Sequence, residues 1–332
     1  MSSPVFLTDS AADISFAART LADGGLLGLP TETVYGLAAD ALNPQAVAAI
    51  FTAKGRPADH PLIVHVCSIE QVSLFAADVP AFAQALMQAF WPGPLTLILP
   101  RRAGVAEACA GGHDTIAVRC PSHLLARRVL QQALSLGVTG VAAPSANLFG
   151  RVSPTTALHV REAFADLHVL DGGACEVGIE STIVDASRGV PVLLRPGMLS
   201  RAQLSAACGQ PVQRLQTAHT PSLGQTDAPA APGMLLSHYA PRAKLCLGTA
   251  AEIEAQAVQA TAKLAVWARS SLHLPSHVKQ SPMPPNAASA AHDLFATLRA
   301  LDALGVDQIW VETPPPDEAW EGVRDRLQRA SA

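Results

Sequence analysis

The sequence predicts an α/β protein of two unequal domains, and three features carry that expectation. Its 332 residues exceed what one hydrophobic core usually serves. From about residue 25 to 197, short β-branched or leucine-rich runs alternate with amphipathic stretches, the pattern of a mixed sheet covered by helices. From about 208 to 233 the text turns to GQPVQRLQTAHTPSLGQTDAPAAPG, rich in Pro, Gln, Thr, Ala and Gly and without apolar periodicity, after which a second, shorter α/β pattern begins. The predicted division is a large domain over 1–207, a linker over 208–242 and a small domain over 243–332.

In the large domain the strand candidates are Gly25 to Leu29, Leu62 to Cys67, Leu95 to Leu99, Thr115 to Cys120, Val138 to Ala142, Leu167 to Leu170, Ser181 to Asp185 and Val192 to Leu194. Between the first two lies NPQAVAAIFTAKGRP. Asn43 suits an N-cap, Pro44 the first helical turn, Val47, Ile50 and Phe51 an apolar face, and Gly55 with Pro57 a stop. Lys54 and Arg56 are therefore expected at a helix C-terminal end. In the small domain, AKLCLG, an Ala/Glu helix, KLAVWAR, a helix from Ala287 to Leu304, QIWVE and a last helix after Pro316 predict a second sheet with helices.

Composition narrows the class. Hydrophobic residues make up 49% and charged residues 15%, but Gly, Pro or charge breaks every apolar run before the ~18 residues a bilayer span needs. The N-terminal MSSPVFLTDSAADISF carries Asp9 and Asp13 and no basic segment, unlike a secretory signal. No membrane association and a cytoplasmic location are expected. The six cysteines form no CxxC pair and no zinc-ligand spacing, so reduced, buried thiols are expected. A net charge of -4 provides no global field for a nucleic-acid backbone, and RNA contact would need a local patch. Lysine occurs only at 54, 244, 263 and 279. A lysine retained where the chain otherwise uses arginine points to a task for a compact ammonium.

No GxxxxGK, GxGxxG after a strand, GxSxG or HExxH is present. What remains is a set of polar clusters at predicted strand ends: PTETVYGL at 30–37, KGRPADHPLIVHV at 54–66, APSANLFGRVSPT at 143–155, GIESTIVD at 178–185 and LLRPG at 193–197. Strand alternation places Thr115, Ala117 and Arg119 on one face, and sets His65 opposite Leu62, Val64 and Val66. Taken singly, each residue has a structural reading: His65 bonding a carbonyl, Arg119 or Arg195 in an ion pair, Ser145 or Ser153 in a turn, Asn147 in a left-handed loop, or Thr31 to Thr33 as a helix cap.

Together the clusters resemble the YrdC-like family, and PGMLLSHYAP with the second domain narrows the resemblance to its long, two-domain form, the threonylcarbamoyl-AMP synthases. The resemblance covers nearly the whole chain. It implies a twisted, open mixed sheet with helices and a smaller Rossmann-like C-terminal domain. It also implies a reaction in which L-threonine, bicarbonate and ATP give threonylcarbamoyl-adenylate and pyrophosphate, the first step of a tRNA modification.

The family's KxR…SxN tetrad falls on Lys54, Arg56, Ser145 and Asn147, the implied catalytic set. By the same resemblance ATP would touch Arg56, His60, Thr115, Ser145, Ser153, Arg195 and Tyr239. L-threonine would be held by Thr33, His65, Arg119, Ala143 and Ser181. The linker would form a lid bearing Tyr239. Mg2+ would ride mainly on the ATP phosphates with no dedicated protein ligands. Downstream threonylcarbamoyl-transfer proteins, and a weak tRNA contact, are the implied partners. His60 stands where the family often has Asn, Phe149 where a small polar residue is common, and DRLQRAS where Asn-Arg-Leu is more usual. Two rivals remain: an RNA-binding or ribosome-associated module, against which net charge and scarce lysine argue, and a carbamoyl-adenylate-forming enzyme, whose cysteine-rich modules are missing.

Overall fold

The computed structural model describes residues 5–214 and 238–332; most of the predicted linker, 215–237, lies outside the described residues. The strands are β1 Phe6–Leu7, β2 Leu27–Leu29, β3 Gly36–Asp40, β4 Ile63–His65, β5 Leu95–Pro100, β6 Thr115–Arg119, β7 Val141–Ala142, β8 Val169–Leu170, β9 Thr182–Asp185, β10 Val192–Arg195 and β11 Gln213–Arg214 in the large domain. In the small domain they are β12 Lys244–Gly248, β13 Leu264–Ala268, β14 Lys279–Pro282 and β15 Gln308–Glu312. The large sheet runs β1-β8-β2-β3-β7-β4-β6-β5-β9-β10-β11 and mixes parallel with antiparallel neighbours. The small sheet, β12-β15-β13-β14, is wholly parallel.

The sites of chemistry depend on three central strands. β4 and β6 pair in parallel with Ile63 beside Ala117 and His65 beside Arg119. Leu62, Val64, Val66, Ile116 and Val118 enter the main core, while Ile63, Ala117, Ile98 on β5, Ile183 on β9 and Leu194 form a small apolar floor on the opposite face. The alternation read from LIVHV and TIAVRC therefore sorts core from cleft.

Helix Pro44–Lys54 follows its sequence signals closely. Asn43 accepts from the amides of Gln45 and Ala46, and Gly55 at φ 62° ends the helix in the left-handed region. β3 was not expected. Its text GLAAD is small and buried nearly throughout, so it shows no alternation to read. β11 and β14 were also unforeseen: both are short, polar edge strands. Helix Arg201–Cys208, capped by Ser200 and Gln203, ends at Gly209, and Gln213–Arg214 then joins β10. Residues just beyond 208 thus still belong to the large sheet.

The two domains share one apolar core, in which Val34, Val152 and Ile179 from the large domain meet Tyr239, Phe295, Trp320 and Leu327. The approach is close at two glycines. A Cβ on Gly178 would lie 2.4 Å from the His292 carbonyl oxygen, and one on Gly322 would lie 2.7 Å from that of Gly197. Among the described residues no helix is long and apolar enough to cross a membrane.

Candidate active site

A cleft opens over the Ile63 floor. Its walls carry Thr33, Arg56, His65, Arg119, Ala143, Ser145, Ser181, Arg195 and Tyr239 from among the sequence candidates. Glu180 and His238 line it as well, and neither was singled out beforehand.

At one end Arg119 is fixed before any substrate arrives. Its Nε donates to the Gly93 carbonyl at 3.4 Å and its Nη1 to Thr33 Oγ1 at 2.8 Å, while Nη2 pairs with Glu32 at 2.6 Å. Glu32 is itself held by the Ser122 amide. The Nη2 contact is an ion pair without hydrogen-bond geometry, so Nη2 makes no hydrogen bond, and the planar fork of Nη1 and Nη2 suits bidentate capture of a carboxylate. Thr31 to Thr33 cap no helix; Thr31 Oγ1 donates to the Val34 carbonyl and shares a hydrogen bond with Thr33 Oγ1.

Beside Arg119, His65 Nδ1 faces the carbonyl of Ile63, two residues earlier on the same strand, at 3.2 Å. Burial, reinforced by the Arg119 charge, pushes the imidazole down to about 3, so the ring is neutral at physiological pH. With the proton on Nδ1, Nε2 keeps its lone pair. Ser181 Oγ shares a hydrogen bond with Thr96 Oγ1 at 2.7 Å and receives one from Arg195 Nη2 at 3.1 Å.

The other end is cationic. Arg56 leaves the helix stop at Gly55 and donates to the Pro61 carbonyl at 2.9 Å, while its Nε is buried with no hydrogen-bond partner. Burial first, then the nearby Arg195 charge, lowers Arg56 to about 10, and it stays charged at neutral pH. Arg195 Nε donates to the Ser181 carbonyl at 3.0 Å. Tyr239 sits at φ 65°, an unusual conformation for an aromatic residue. The next amide, Ala240, donates to the Gly150 carbonyl and fixes it there. Burial lowers His238 to about 4. Three arginines and one carboxylate, Glu180, line the cleft, so it favours anions.

The tetrad residues divide. Arg56 and Ser145 face the cleft; Lys54 and Asn147 do not line it. The Lys54 ammonium is buried and donates to the carbonyls of Ser145 and Asn147, each at 2.5 Å, and its own carbonyl accepts from the Phe149 amide. Asn147 turns its amide group onto the Leu148 and Arg151 carbonyls. Lys54 and Asn147 thus shape the loop that presents Ser145.

Three other candidates also stand off the cleft wall. Ser153 donates to Glu180. Thr115 begins the Arg119 face of β6 four residues earlier. His60 packs edge-on against Phe149, which in turn meets His238, joining an aromatic row that runs through Tyr239 to Phe295. Among the described residues no cluster of three or more His, Cys, Asp or Glu could hold a metal ion.

Comparison with known proteins agrees over nearly the whole chain. Residues 19–197 match the Sua5, YciO and YrdC family, described as Telomere recombination, and residues 199–332 match the C-terminal domain of threonylcarbamoyl-AMP synthase. The threonylcarbamoyl-AMP synthase of Pyrococcus abyssi is 38% identical over 96% of this chain and 94% of its own. That of Bacillus subtilis is 35% identical over 98% of this chain and 94% of its own. The crystal structure of P. abyssi Sua5 complexed with L-threonine superposes with a TM-score of 0.87 at 35% identity, covering 98% of this chain and 97% of that one. Escherichia coli YciO, at 20% identity and a TM-score of 0.50, shares the fold of the large domain. On these matches the chain belongs to the Sua5, YciO and YrdC family, in its two-domain form with the threonylcarbamoyl-AMP synthase C-terminal domain.

Proposed function

We propose that this chain is an L-threonylcarbamoyladenylate synthase, converting L-threonine, bicarbonate and ATP to threonylcarbamoyl-AMP and pyrophosphate. The observation that carries the reading is a single cleft in which Arg119, pre-set for a carboxylate, adjoins the cationic pair Arg56 and Arg195. The threonine complex of the P. abyssi relative supports the amino-acid end.

The residues suit the chemistry in order. Arg119 takes the threonine carboxylate bidentately through its terminal nitrogens. Thr33, Ser181 and the Ala143 backbone complete the pocket, and the His65 Nε2 lone pair accepts from the amino or hydroxyl group. The threonine amine captures carbon dioxide with loss of a proton, or bicarbonate with loss of water, to give a carbamate. A carbamate oxygen then attacks the α-phosphorus of ATP, and the bond to pyrophosphate breaks. Negative charge gathers on phosphate oxygens, where Arg56, with its unpartnered Nε, and Arg195 are already fixed. Ser145, presented by the Lys54 staple, offers a neutral donor, and Tyr239 borders the nucleotide end.

Mg2+ would arrive on the ATP phosphates, since Glu180, the carboxylate on the wall, is committed to Ser153 and Arg326. The adenylate would pass, in the cytoplasm, to proteins that transfer it to tRNA, with at most weak contact between this chain and the tRNA. The test is pyrophosphate release in the presence of ATP and Mg2+. Release that requires both L-threonine and bicarbonate is expected, and release independent of either overturns the reading.

A further inference from the structure

Glu180 poses an electrostatic problem for a cleft that takes a polyanion. Its side chain is buried in the wall, beside the arginines that would meet the phosphates. Left alone, such a carboxylate would repel the ligand and draw Arg56 or Arg195 to itself.

The solution comes from the other domain. Arg326, on the helix Glu321–Ala330, is completely buried. Its Nε donates to Glu180 Oε2 at 2.7 Å, its Nη2 to the Glu180 carbonyl at 3.2 Å, and its Nη1 to the Pro196 carbonyl at 2.8 Å and to Asp325 Oδ2 at 2.7 Å, a carboxylate that Arg329 also holds. Ser153 donates to the second carboxylate oxygen at 2.5 Å. Both oxygens of Glu180 are therefore occupied from outside the cleft. The same guanidinium stacks over the Tyr239 ring at 5.5 Å. Burial alone would raise the Glu180 carboxyl, but Arg326, Arg195 and Ser153 hold it below the usual carboxylate range. The close backbone contact at Gly322 leaves the helix little room to shift, which fixes the guanidinium in place.

We propose that Arg326 is a positioning residue for the nucleotide: the C-terminal domain supplies the countercharge that cancels Glu180 and holds Tyr239, so that Arg56 and Arg195 face the triphosphate. The proposal rests on the nucleotide reading of the cleft, and ATP binding by the wild-type chain, measured alongside, tests that reading separately.

The experiment compares Arg326→Gln, Glu180→Gln and the double variant by calorimetry, titrating Mg-ATP without threonine and L-threonine without ATP. Arg326→Gln is expected to weaken ATP binding about 30-fold and threonine binding less than threefold, because a buried charge loses its partner next to the phosphates. The double variant, with two neutral carboxamides face to face and Asp325 still paired with Arg329, is expected to recover at least tenfold. Should Arg326→Gln fail to fold, the double variant decides: ATP affinity within threefold of wild type supports the proposal. ATP binding unchanged in Arg326→Gln, an equal loss for threonine, or a double variant no better than the single, or itself weakened 30-fold, overturns it.

Discussion

The Lys54 ammonium lies 2.5 Å from the Asn147 carbonyl oxygen, and so the first and last residues of the tetrad meet through backbone, beneath the loop that brings Ser145 to the cleft wall. Two of the four support the architecture of the loop, and two line the cleft.

Lys54→Met should consequently damage both fold and turnover. It leaves two carbonyls without their charged donor, a loss of about 3 kcal/mol. Arg56→Met removes a buried cation that makes one hydrogen bond to a carbonyl. Its stability should change by less than about 1 kcal/mol while turnover falls at least about 100-fold. Urea melts and pyrophosphate assays on both variants separate the two roles; equal stability loss in the pair would contradict the assignment.

Arg119→Lys should raise the threonine dissociation constant about 30-fold, because one ammonium cannot hold Gly93, Thr33 and Glu32 and still offer a bidentate face. ATP binding should change less than about threefold. Calorimetry with each ligand checks this, and a matching loss for ATP would show that Arg119 serves the whole cleft.

The buried histidines set an acid limit to stability. His65 and His238 are pushed down to about 3 and about 4. In the unfolded chain both would titrate near ~6.5, so below that pH the unfolded state binds more protons. Their contribution is complete above ~6.5 and is lost as pH falls toward the folded values, by about 1–2 kcal/mol each at about pH 5. Urea melts at pH 7 and pH 5 should show a larger loss for wild type than for His65→Gln. An identical loss in both would show that His65 does not titrate on unfolding.

Gly322→Ala tests the join between domains without touching a charge. The new methyl would sit 2.7 Å from the Gly197 carbonyl oxygen and 2.9 Å from Ile179 Cδ1, so the last helix must shift. Weaker ATP binding is expected, with threonine binding within about threefold of wild type. Wild-type ATP affinity would mean the wall tolerates that shift.

Much of this was legible from single strands and caps. Asn43, Pro44 and Gly55 bracketed their helix, and strand alternation placed His65 and Arg119 on the cleft face because one side of each strand must enter the core. What stayed hidden depends on distance in sequence. Glu180 looked like one polar residue in GIESTIVD, and its partner stands 146 positions away. Lys54 stood out by its isolation among arginines, but composition could not say whether its ammonium faced a ligand or a carbonyl. β3 was invisible because a strand buried on both faces carries no alternation.

The seclusion of Lys54 also decides what the cleft leaves untouched. A mixed carbamic-phosphoric anhydride is an electrophile that amines attack and protonated guanidiniums do not. The wall carries arginines, and the lone lysine among the first 243 residues is sealed behind carbonyl oxygens, whereas Lys244, Lys263 and Lys279 are exposed on the other domain. A reactive acyl group formed in the cleft therefore meets no lysine amine there, and among the lysines amine-directed labels will decorate those of the C-terminal domain and spare Lys54.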